Sequence, residues 1–121
     1  MRLDLQIVFV SDMKRSVAFY RDVLGLPLKF ETPQWTEFAT AGATLALHIA
    51  EGRTPVEGDC EEPGRCRPGF GVPSLDAFHQ RMVEHGVPCV QPPTELFGAR
   101  IAQYRDPDGL PFSVGETRFG G

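Results

Sequence analysis

The sequence predicts an α+β fold of two related halves, each a strand, a helix and about three further strands. Three observations predict it. A β-rich start leads into an amphipathic helical stripe, and strand-like segments separated by turn residues follow the helix. The same order then restarts after residue 69. A half-sheet of four strands with one helix covers only one of its faces, so two such halves side by side would leave their other faces around a shared cleft.

Residues 2–10 (RLDLQIVFV) are rich in β-formers and read as the first strand. Ser11 or Asp12 can cap a helix. Met13, Val17, Tyr20 and Leu24 then fall on one helical face, and Gly25 stands where a helix ends in the left-handed conformation. Strands follow at Pro27 to Thr32, Gln34 to Thr40 and Ala43 to Ile49, with turns at Pro33 and at Ala41-Gly42. In the last of them Leu45, Leu47 and Ile49 point one way, and Thr44, Ala46 and His48 the other. Residues 51–69 carry three prolines, four glycines and many charges, and read as a mobile connector.

The second half begins with a short strand at Gly69 to Val72. Ser74 can cap a helix with Leu75, Phe78 and Met82 on one face, and Gly86 can end it. Strands are expected at Pro88 to Gln91, Arg100 to Tyr104 and Leu110 to Gly115, the last two joined through Asp106-Pro107-Asp108-Gly109. Val10, Gly25 and Pro27 match Val72, Gly86 and Pro88 at offsets of 62, 61 and 61 residues, which favours an internal duplication. One domain is expected over residues 1–121, with a first module over about 1–50, a connector over about 51–67 and a second module over about 68–118.

The 121 residues are 41% hydrophobic and 23% charged, a globular composition. The net charge is −4 and no Lys/Arg cluster occurs, so nucleic acid and anionic membranes are poor partners. No segment approaches the ~20 apolar residues of a membrane helix, and the N-terminal segment, broken by Asp4, is unlike a targeting signal; a cytoplasmic location is expected. Cys60, Cys66 and Cys89 are odd in number, which argues against a disulfide framework, and they read as free thiols in a reducing compartment.

Three segments together resemble the vicinal oxygen chelate (glyoxalase/bleomycin resistance protein/dioxygenase) superfamily. VSDMKRSVAFYRDVLGLPL (10–28) resembles its first strand–helix–turn, FGVPSLDAFHQRMVEHGVP (70–88) its second, and YRDPDGLPFSV (104–114) its last hairpin. The resemblance implies two βαβββ modules with mixed half-barrel sheets around a cleft, and a homodimer. It does not settle chemistry, because the superfamily includes metal-dependent lyases, isomerases, dioxygenases and thiol transferases as well as metal-free proteins that sequester drugs.

Metal-dependent members place His or Glu at four equivalent strand positions. Counted from the matching motifs, these fall on Leu5, Ala46, Arg67 and Ser113. Leu and Ala offer no lone pair, a guanidinium repels a cation, and Ser is a weak ligand beside His, Cys or carboxylate. His48 shares a strand face with Ala46 and becomes a ligand only after a register slip; Glu37 is the nearby carboxylate. No metal and no other cofactor is therefore expected. His79 and His85, on the second helix, suit solvent-facing or helix-end roles.

Strand parity sets Leu5, Ile7 and Phe9 on the cleft side of the first strand. On the last strand Leu110, Phe112 and Val114 pack under the helices, while Pro111, Ser113 and Gly115 face the cleft. With Trp35, Glu37, Ala46, His48, Arg67 and Gln103, the cleft is apolar and aromatic with a few polar groups, which suits a flat, partly aromatic ligand. The negative net charge mildly favours a neutral or cationic one. There is no Gly-x-Ser-x-Gly elbow or phosphate-binding glycine loop, so no catalytic residue is assigned; a His48–Glu37 general-base pair across adjacent strands is conceivable. The leading expectation is a metal-free, non-enzymatic small-molecule-binding protein that sequesters an aromatic or hydrophobic natural product or drug, as in antibiotic resistance. The alternatives are a metal-dependent lyase, isomerase or dioxygenase with non-standard ligands, and an interaction module.

Overall fold

The computed structural model describes residues 1–50, 63–96 and 98–116. Most of the expected connector, with Cys60, lies outside the described residues. The chain divides into two compact units, Met1–Val56 and Glu57–Gly121. Each holds a four-stranded mixed sheet with helical structure, so the class is α+β, and neither sheet closes into a barrel.

The first unit runs β1 (Leu5–Val10), α1 (Met13–Ala18), a π-helical turn (Phe19–Val23), β2 (Leu28–Glu31), β3 (Trp35–Phe38) and β4 (Thr44–Ile49), with strand order β1-β4-β3-β2. β1 lies parallel to β4; the other pairs are antiparallel. Asp12, not Ser11, caps α1: its Oδ1 accepts the Arg15 N–H at 3.1 Å. Met13, Val17 and Tyr20 are buried as the stripe predicts, and Leu24 is half-buried. The stripe does not reveal that Phe19 is buried beside Tyr20, their rings edge to face at 5.1 Å. The Leu24 N–H reaches the Phe19 carbonyl, five residues back, at 3.0 Å, and this wider turn brings two consecutive aromatic residues inward. Gly25 follows at φ +79°, where an L side chain would be strained.

The second unit repeats the order: β5 (Gly69–Val72), α2 (Leu75–Glu84), β6 (Cys89–Leu96), β7 (Ala99–Arg105) and β8 (Pro111–Glu116), with strand order β5-β8-β7-β6. Ser74 Oγ accepts the Ala77 N–H at 3.2 Å, capping α2, and Gly86 ends it at φ +67°. Asp106 Oδ1 accepts the N–H groups of Asp108 and Leu110 at 2.9 Å each, closing the predicted turn before β8. β6 extends five residues beyond the predicted Gln91, through Pro92 and Pro93. It can do so because it is an edge strand whose register shifts between Gln91 and Thr94, so the missing proline N–H groups break no continuous ladder.

Each sheet buries one face. In the first unit that face carries Val8, Val10, Phe38, Leu45 and Leu47, with Thr36 also buried and its hydroxyl 3.3 Å from Met13 Sδ. In the second it carries Ala102, Tyr104, Phe112 and Val114 against Leu75 and Met82 of α2. Among the described residues no helix is long and apolar enough to cross a membrane.

Candidate functional site

The face of the first sheet opposite its core carries most of the predicted site residues. Pairing arranges them in rows. Phe9 of β1 stands beside His48 of β4, which stands beside Trp35 of β3. The next row reads Ile7, Ala46, Glu37 and, on β2, Phe30. Leu5 stands beside Thr44 in the third. Adjacent strands lie about 4.8 Å apart, so neighbouring side chains in a row touch. The His48 ring centroid is 5.4 Å from Phe9, tilted by 53°, and 6.0 Å from Trp35, edge to face at 87°. Leu5, Ile7, Phe9 and Phe30 are 37%, 38%, 62% and 45% exposed, a run of apolar surface on one sheet face.

Ala46, predicted to line the cleft, shares this face but is 0% exposed. Its side chain ends at Cβ, between the longer side chains of its row neighbours Ile7 and Glu37.

The polar groups of the face hold one another. The Trp35 indole N–H donates to Glu37 Oε2 at 2.9 Å, which pins the plane of the chain's one tryptophan. Lys29 Nζ donates to Thr44 Oγ1 at 2.8 Å and lies 4.0 Å from Glu37 Oε1. His48 Nδ1 is 2.6 Å from the Ile49 carbonyl oxygen. Glu37 and His48 are thus engaged elsewhere, and no His48–Glu37 hydrogen bond forms. Lys29 and Phe30 escaped the sequence reading because the pairing of β2 with β3 shifts between Leu28 and Phe30, which upsets simple alternation.

The open face of the second sheet is small and polar. Gly69, Ser113, Gln103 and Gln91 form one row across all four strands, and Gly71, Gly115 and Ile101 another. Arg67 stands two residues ahead of β5 rather than on it, half-buried, and Gly69 is the residue paired with Ser113. Pro111, expected to face the cleft, is buried, and Leu110 precedes the strand.

His79 departs from its expected solvent-facing role. Its Nδ1 is 2.9 Å from the Tyr104 hydroxyl, on the core side of the second sheet. His85 caps the C-terminus of α2, a helix-end role. Burial, and secondarily the charge of the Cys89 thiolate, push the Tyr104 phenol up to about 12. Partial desolvation pushes the thiol of Cys89, an exposed residue, up as well. Between pH 10 and about 12 the folded chain therefore keeps a proton that the unfolded chain releases. The contribution of Tyr104 to stability should be full below pH 10 and fall by on the order of 2 kcal/mol as the pH rises to 12. Denaturant titrations across this range should show that loss in the natural protein, and Tyr104→Phe should remove the part of it that Tyr104 carries.

A depression of about 580 Å³ lies at the end of β1, between Ser11–Lys14 and Glu31–Pro33. None of its lining residues belongs to the aromatic row.

The model of the Glyoxalase/Bleomycin resistance protein/Dioxygenase superfamily matches residues 2–114. The chain belongs to this superfamily. Its relatives include YraH of Bacillus subtilis (strain 168), an uncharacterized protein that is 31% identical over 86% of this chain and 90% of its own length. The phenazine antibiotic resistance protein EhpR of Enterobacter agglomerans is 30% identical over 88% of this chain and 84% of its own. Among solved structures, TnmS3, an antibiotic binding protein from Streptomyces sp. CB03234, superposes with a TM-score of 0.73 at 26% identity, covering 96% of this chain and 95% of that one.

Some members of the superfamily use a divalent metal, and the residues at the corresponding positions do not fit one. Leu5 and Ala46 have no donor atom, Ser113 is a weak donor, and Arg67 carries a positive charge. Among the described residues, no three His, Cys, Asp or Glu side chains converge on a point.

Proposed function

We propose that the protein binds a planar aromatic natural product or drug, without a metal, and protects by sequestering it. The observation that carries this reading is the row of exposed Phe9, exposed His48 and half-buried Trp35 on one sheet face. Rigid aromatic side chains offer a flat ligand a large contact area at little entropic cost. The antibiotic-related functions in the names of EhpR and TnmS3 support a drug-like ligand, and phenazine is the natural probe. The poor donor set at Leu5, Ala46, Arg67 and Ser113 supports the metal-free part. A cytoplasmic homodimer completes the reading.

Two measurements test it on tag-free protein purified without chelator. Phenazine should quench the fluorescence of Trp35 with saturation at one ligand per chain, and the compound should be recovered unchanged. Elemental analysis after incubation with manganese, iron, nickel or zinc should find far less than one ion per chain. Stoichiometric metal would overturn the metal-free part; absence of saturable quenching, with no heat of binding, would overturn the ligand class.

A further inference from the structure

Resting on the ligand-binding function proposed above, we infer that His48 is its specificity-determining residue: Nε2 accepts a hydrogen bond from an N–H or O–H group on the ligand. The Ile49 carbonyl can only accept, so the 2.6 Å contact requires His48 Nδ1 to carry the proton. In the neutral ring Nε2 then keeps its lone pair. Phe9 on one side and Trp35 on the other hold the ring in place. His48 is exposed, and among the described residues Nε2 has no hydrogen-bond partner.

The other polar groups of the face strengthen the assignment. Both ring N–H donors of the row are taken, the indole N–H by Glu37 and the His48 Nδ1–H by the Ile49 carbonyl. The Lys29 ammonium lies outside the aromatic row, in contact with Thr44 and with the remaining Glu37 oxygen. What the aromatic row presents is therefore an acceptor. A ligand bearing a donor pairs with it, whereas a ligand that covers it with a methyl group or a carbonyl oxygen leaves a desolvated lone pair unmatched. The class selected is a planar polycycle with an amino or hydroxyl substituent, in preference to one with a carbonyl or carboxylate at that position.

The test compares 2-aminophenazine with 2-(dimethylamino)phenazine, which share the ring system and differ in the donor, by titration calorimetry. The natural protein should bind the amino compound about tenfold more tightly, the size of one net hydrogen bond. His48→Phe keeps three aromatic side chains in the row but removes the acceptor. It should bring the ratio close to one, because it removes both the hydrogen bond to the amino compound and the unmatched lone pair under the dimethyl compound. A ratio near one in the natural protein, or a preference that survives His48→Phe, would overturn the role of His48 while binding of both compounds upheld the aromatic site. Failure of both compounds to bind would overturn the aromatic-site reading, and the role of His48 with it.

Discussion

Replacing Trp35 with alanine is expected to weaken phenazine binding roughly 30- to 100-fold, about 2 to 3 kcal/mol, the range in which a central aromatic anchor falls. Three features make Trp35 the anchor. It is the chain's one tryptophan, the largest aromatic side chain, and it sits in the row with His48 and Phe9. Its ring plane is also set before the ligand arrives, by the 2.9 Å bond from its indole N–H to Glu37. A ring held in one orientation loses little freedom when a ligand stacks on it, so more of the contact energy appears as affinity. Glu37→Leu, which leaves the ring but removes its acceptor, should cost less than Trp35→Ala. Calorimetry is the measurement, because the substitution removes the fluorophore. An affinity within about threefold of the natural protein, less than a typical hot-spot effect, would shift the site away from this face.

Much of the fold can be read from the residues, because local chemistry alone decides those features. Gly25, Gly86 and Gly109 adopt positive φ where the sequence places a helix stop or a turn. Asp12, Ser74 and Asp106 satisfy backbone N–H groups within four residues. The open face of β1 is legible from alternation: Leu5, Ile7 and Phe9 are exposed while Val8 and Val10 are buried. What escapes depends on partners far away in sequence. The extension of β6 through two prolines is tolerable only at a sheet edge. The place of Lys29 depends on irregular pairing with β3. His79 looks like a surface residue until Tyr104, 25 positions later, supplies its partner. Along these strands the face of a residue is readable, but its accessibility is not: Ala46 has the expected face and no exposed surface.

The largest expected effect on stability separates the two faces. Phe112→Ala should destabilise the protein by about 3 to 5 kcal/mol, the usual cost of removing a buried phenyl ring. Phe112 is fully buried, with ring centroids 5.8 Å from both Phe70 and Tyr104, and it lies beneath α2. The cavity left there has rigid walls on the sheet side, where Ala102 and Val114 are also fully buried, so collapse can recover little of the loss. Phe9→Ala removes the same ring from a residue that is 62% exposed, and should cost only about 1 kcal/mol or less. Ligand affinity should order the two variants the other way: Phe9 flanks His48 in the aromatic row, whereas Phe112 supports the core of the other unit. Guanidinium chloride unfolding followed by circular dichroism measures the first ordering, and calorimetry with phenazine under folding conditions measures the second. Equal destabilisation by both substitutions would mean that the Phe9 face is a packed core surface rather than a site open to a ligand.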